Sequence, residues 1–166
     1  MNAIFPGSYD PITLGHLDLI RRAASICDIL TIAILINPEK TGDFPLNERL
    51  DMVKSACEGL SNVRVVSFSG LLVDLARELD TRIIIRGVRG GHDLDGEMAM
   101  AWANAAMHPG LETLFLPAAN GLGGVSSSLV RQIAPLCPKK LSMGCWRTIT
   151  TKISPIIKGG TYNGKN

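Results

Sequence analysis

The sequence predicts an α/β domain built on a doubly wound, mostly parallel five-stranded sheet. Three observations lead there. Short β-branched runs alternate with segments of helical period five times in succession. Each run is short and rich in Ile, Val or Leu, as sheet-forming strands are. A chain of 166 residues with 46% apolar and 19% charged residues has the length and composition of one domain with a full core.

The first strand is expected at 2–5, where Ala3-Ile4-Phe5 forms an apolar run. The first helix follows over 14–26, with Leu17, Ile20, Ala23, Ala24 and Ile26 at helical spacing. Strand 29–36 precedes a helix over 46–58, and strand 63–66 a helix over 71–79. Strand 82–86 contains Ile83-Ile84-Ile85 and leads to a helix over 93–107. The last unit is strand 113–116 with a helix over 127–136. Five such units imply helices on both faces of the sheet. Residues 1–137 form the expected domain. Residues 138–166, rich in Gly, Thr and Lys, read as a coil-like extension.

Composition narrows the function. No apolar run approaches the ~18 residues of a membrane span, and the N-terminus has no signal pattern, so a cytoplasmic protein without membrane contact is expected. Cys27, Cys57, Cys137 and Cys145 are too dispersed for a zinc or redox motif and read as reduced thiols. All 15 acidic residues lie in 1–112, whereas 113–166 carries seven of the 17 basic ones. The basic residues there are scattered, without interleaved aromatics, so a nucleic-acid partner is not expected.

In open parallel sheets, ligands bind beyond the carboxyl ends of the strands, so the loops leaving those ends carry the function. The first, PGSYDPITLGH over 6–16, lacks GxGxxG, and no GxxxxGK[ST] occurs anywhere, which argues against dinucleotide and P-loop chemistry. It does place Thr13, Gly15 and His16 at the start of a helix. Taken alone, TxGH also reads as an N-cap threonine followed by a surface histidine. After the fourth strand, Arg86 and Arg89 stand three residues apart, suited to gripping phosphate oxygens or to pairing with Asp93, Asp95 or Glu97. After the fifth strand, a glycine-rich stretch leads into Ser126, Ser127 and Ser128 at a helix start, where amides and hydroxyls suit either a phosphate or a cap. Lys40 in the second loop is a cation able to reach such a phosphate. No nucleophile–base pair and no protein-only metal site is visible; His92 and Asp93 lack further ligands, and Mg²⁺ is expected to arrive on nucleotide phosphates.

The succession PGSYDPITLGH, NPEK, FSGLLVDLA, IIIRGVRGGHDLDGEM, VSSSLVRQIA over about 2–137 resembles the phosphopantetheine adenylyltransferases, which share a Rossmann-like nucleotidylyltransferase fold and a (T/H)xGH signature. The resemblance implies transfer of AMP from ATP to 4′-phosphopantetheine, giving dephospho-coenzyme A and pyrophosphate, with Mg²⁺ as cofactor. It implies a homo-hexamer and coenzyme A as a feedback ligand. By matching positions, His16, Lys40 and Arg89 are the catalytic candidates. Ser8, Tyr9, His16, Gly87, Val88, Arg89, Glu97, Leu122, Gly123, Gly124, Val125, Ser126, Ser127 and Ser128 fall at the ATP site. Ser8, Lys40, Leu72 and Arg86 fall at the phosphopantetheine site.

The chain departs from the family pattern in having Gly96, Leu122 and Gly124 where aromatics are common, and in everything beyond Cys137. Two other readings compete. One is a nucleotidylyltransferase with a different phosphate acceptor, such as nicotinamide mononucleotide, although the aliphatic LLVDLA segment suits a pantetheine arm better. The other is a non-catalytic nucleotide sensor, which would have no need of His16.

Overall fold

Ten elements follow one another in the expected alternation in the computed structural model: β1 (Asn2–Gly7), α1 (Leu14–Ala24), β2 (Ile29–Ile36), α2 (Leu46–Ala56), β3 (Val63–Ser69), α3 (Leu72–Glu78), β4 (Ile83–Val88), α4 (Gly91–Met107), β5 (Glu112–Pro117) and α5 (Ser127–Ile133). The structure describes residues 1–36, 42–119 and 121–133. The expected Lys40, the last turn of the 127–136 helix and the whole of 138–166 lie outside them.

All strand pairs are parallel, in the order β3-β2-β1-β4-β5. Strand order therefore reverses between β1 and β4, and the crevice beyond their carboxyl ends is where a ligand is expected. Alternate residues of the central strands serve opposite faces. Ala3, Phe5, Ile32, Ile34 and Ile85 pack with Leu19, Ile20 and Ala23 of α1 and Met52 and Val53 of α2. Ile4, Ala33 and Ile84 pack instead with Val73, Leu75 and Ala76 of α3. Ile4, Ile32, Ile34 and Ile84 are all 0% exposed, and full burial of such a side chain contributes about 1.5–3 kcal/mol. This is why the strands read as continuous apolar runs.

The boundaries differ from the expected ones where tertiary pairing overrides local pattern. β1 runs on through Pro6 and Gly7, opposite Ala33 and Ile34. β4 runs on past Arg86 through Gly87 and Val88, opposite Leu116 and Pro117, so two residues read as loop are strand. Gly87 leaves room there for Leu19, whose Cδ1 an added Cβ would meet. α1 stops at Ala24, where the Ser25 hydroxyl donates to the Arg22 carbonyl, and Ile26 is left 53% exposed.

Candidate active site

Beyond the ends of β1 and β4 lies a cavity of about 250 Å³ lined by the first loop, the start of α1, the end of β4, the first turns of α4 and the segment entering α5.

The first loop is held by its own side chains. Tyr9 has φ 46°, buries its ring and donates its hydroxyl to the Phe5 carbonyl at 2.9 Å. Burial raises the phenol's pKa further. Gly7 makes room for this ring, because a Cβ there would lie 2.9 Å from Tyr9 Cε2. The edge of Tyr9 meets the His16 ring with centroids 5.3 Å apart. So Tyr9 reaches the cavity wall mainly as the support of His16.

Thr13 is the N-cap of α1 and forms a reciprocal capping box with His16. Its hydroxyl accepts the His16 backbone N–H at 3.4 Å, while the Thr13 backbone N–H donates to His16 Nδ1 at 3.1 Å and its hydroxyl lies 2.9 Å from the same nitrogen. A backbone N–H only donates, so Nδ1 accepts and the proton of the neutral ring sits on Nε2. The ring is neutral at ordinary pH: burial lowers its pKa to about 4, helped by the guanidiniums of Arg89 and Arg86. His16 thus presents an N–H donor that carries no charge. The loop before α5 packs directly over Gly15, where a Cβ would stand 3.4 Å from Val125 O and 3.7 Å from Leu122 O, at ordinary van der Waals distance.

The two arginines are ion-paired within the cavity wall. Arg86 grips Glu97 through Nε and Nη2, both at 2.6 Å, and donates Nη1 to the Pro6 carbonyl at 2.6 Å. Burial works against its charge, but the hydrogen bond and charge of Glu97 outweigh that and raise its pKa. Arg89 pairs with Asp93 at 3.1 Å, more exposed to solvent, and its hydrogen bond holds the Asp93 carboxyl below the usual range. Glu97 therefore sits among the cavity residues as the partner of Arg86.

The serines have defined partners. Ser126 accepts the Leu129 N–H at 3.1 Å, Ser127 donates to the Pro11 carbonyl at 2.7 Å, and Ser128 accepts Arg131 Nη2 at 3.2 Å.

Of the expected site residues, Ser8, Tyr9, His16, Arg86, Gly87, Arg89, Glu97, Leu122, Val125, Ser126, Ser127 and Ser128 line one cavity. Four others do not. Val88 ends β4, and its carbonyl accepts the Ala118 N–H. Gly123 and Gly124 lie between the lining residues Leu122 and Val125 in the turn that precedes α5. Leu72 opens α3 beyond β3, two strands from β1, and packs against the second core cluster. Asp93 and Arg131 also line the cavity. Arg131 was open to discovery from its place one helical turn after Ser128.

Among the described residues, no group of three or more His, Cys, Asp or Glu could hold a metal, and no helix is long and apolar enough to cross a membrane. Cys27 and Cys57 are free and buried, and burial pushes the Cys57 thiol up to about 11.

A parallel sheet of this order, with a TxGH loop and two arginines at its reversal, defines a protein of the nucleotidylyltransferase class. The comparisons agree. Residues 4–133 match the cytidylyltransferase-like family. A phosphopantetheine adenylyltransferase from Clostridium botulinum strain 657 is 45% identical over 132 residues, covering 80% of each chain. One from Nocardioides is 47% identical over 134 residues, covering 81% of this chain and 84% of its own. In fold, the chain is similar to a putative nicotinate-nucleotide adenylyltransferase from Vibrio parahaemolyticus, with a TM-score of 0.67 at 17% identity over 95% of this chain and 91% of that one. A Plasmodium falciparum nicotinic acid mononucleotide adenylyltransferase gives 0.62 at 15% identity over 99% and 98%. Within the cytidylyltransferase-like family, the chain belongs to the phosphopantetheine adenylyltransferases.

Proposed function

We propose that this cavity moves AMP from ATP to 4′-phosphopantetheine, giving dephospho-coenzyme A and pyrophosphate in coenzyme A biosynthesis. The observation that carries the reading is the neutral Nε2–H donor of His16 beside Arg86 and Arg89, in a chain of this family. A phosphate oxygen of the acceptor forms the new bond to the α-phosphorus as the bond to the bridging oxygen breaks and pyrophosphate leaves. No side-chain nucleophile is required. The protein aligns the two phosphates and stabilises the charge of the five-coordinate transition state. His16 donates to an α-phosphate oxygen without giving up its proton. Arg89 and Arg86 supply positive charge, with Lys40 as a further cation on the acceptor side. The exposed Ser8 stands between the two substrates, and Leu122 to Ser128 border the nucleotide.

The donor set fits a Mg²⁺ delivered by ATP: the cavity carboxylates Asp93 and Glu97 are already paired with arginines, and a nucleotide-borne ion needs few protein ligands. When bound, it neutralises phosphate charge. Coenzyme A, the phosphorylated form of the product, would compete for the same cavity as a feedback ligand. A cytoplasmic location belongs to the proposal, since free buried thiols suit a reducing compartment. So does a homo-hexamer. It is supported by α4, where Asn104 alone is buried while Met100, Trp102 and Met107 are 59, 67 and 43% exposed, the pattern of a helix that packs against another copy. Trp102→Glu should shift the mass measured by light scattering toward smaller species.

The reverse reaction tests the assignment. Dephospho-coenzyme A with pyrophosphate and Mg²⁺ should yield ATP; absence of ATP would contradict it.

A further inference from the structure

We propose that Asp10, which no role above uses, is a positioning residue that locks residues 42–44, ahead of α2, onto the first loop and so sets the acceptor side of the cavity. Asp10 is 6% exposed. Its carboxylate accepts two consecutive backbone amides from that segment, Asp43 N–H to Oδ2 and Phe44 N–H to Oδ1, each at 2.9 Å. Two neighbouring donors need two acceptor oxygens in one plane, which a carboxylate provides and a carboxamide does not. Gly42 completes the fit, because a Cβ there would lie 3.0 Å from Asp10 Oδ2 and 3.3 Å from Phe44 O.

The grip is closed from a third element. Arg131 of α5 donates Nη1 to the Asp10 backbone carbonyl, places Nε 3.0 Å from the Asp43 carboxylate, and has Nη1 4.0 Å from the Asp10 carboxylate. Phe44 is itself packed against the first core cluster. The segment is therefore fixed at its amides by Asp10, at its Asp43 side chain by Arg131 and at its ring by the core. Asp10 lies between Ser8 and His16 in the first loop, and Gly42 comes two residues after Lys40 in the sequence. A single buried carboxylate thereby joins the loop that carries His16 to the segment that follows Lys40. The kinetic consequence rests on the reaction assigned above; the geometric one does not.

The test combines amide hydrogen exchange with kinetics on the full chain. In Asp10→Asn, the amides of Asp43 and Phe44 should exchange about tenfold faster, with β1 and β4 unchanged. The KM for 4′-phosphopantetheine should rise about tenfold while that for ATP stays within about twofold. Gly42→Ala, which displaces the same carboxylate from a loop position, should give the same split and serves if Asp10→Asn does not fold. Unchanged exchange at both amides would overturn the proposal, as would equal rises in both KM values. If the wild-type protein does not use 4′-phosphopantetheine, the assigned reaction fails and exchange alone decides the lock.

Discussion

Replacing Glu97 with Gln keeps the side-chain size and removes its charge, so it tests whether this residue acts through Arg86. In the structure, Arg86 holds both carboxylate oxygens at 2.6 Å, with side-chain exposures of 31% and 18%. The carboxamide can accept one of these two bonds and turns an NH₂ group toward the other donor. Removing one partner of a fully buried pair costs about 3–5 kcal/mol. Partial access of water here reduces that to about 2 kcal/mol, in line with the loss of hydrogen bonds to a charged group. For a chain of this size, that is a fall in melting temperature of roughly 4–8 °C. Freed from its anchor, Arg86 should also lose its set position, so acceptor KM should rise more than ATP KM. Calorimetry and initial rates with each substrate varied in turn read both effects. A stability loss below about 0.5 kcal/mol, or a rise confined to ATP KM, would refute the reasoning.

Three further outcomes follow from the same geometry. His16 has a folded-state pKa of about 4 against about 6.5 unfolded, so between those values the unfolded chain binds more protons and stability rises with pH; His16→Gln should remove this contribution of up to about 1.4 kcal/mol per pH unit, measured by urea unfolding across that window. Gly87→Ala should lose about 1–3 kcal/mol in the same assay, because the new Cβ meets Leu19 Cδ1. Tyr9→Phe removes the bond to the Phe5 carbonyl and should cost about 1 kcal/mol of stability, while turnover stays near wild type because the ring still supports His16.

The sheet was legible because strands buried on both faces leave unbroken apolar runs, and every βα unit appeared where such a run met a helical period. The end of β4 was not, since Gly87-Val88 has the composition of a loop and becomes strand only through its register with β5. Site residues close in sequence to a strand end could be placed from topology alone, and His16, Arg86, Arg89 and the serines do reach one cavity. What remained hidden were contacts between distant segments. The bond from Arg131 to the Asp10 carbonyl spans 121 positions, and no local period reports it. Tyr9 was placed at the cavity by resemblance, and it does line it; what the sequence did not report is the left-handed backbone that buries its ring.

The most direct test of the central claim is pyrophosphate release from ATP and Mg²⁺ with 4′-phosphopantetheine, run beside nicotinamide mononucleotide and repeated with His16→Ala. The account predicts release with 4′-phosphopantetheine only, and a fall of about 10²–10³ in turnover for the variant with ATP affinity nearly unchanged. No release with 4′-phosphopantetheine, or a variant that turns over like the wild type, would contradict it.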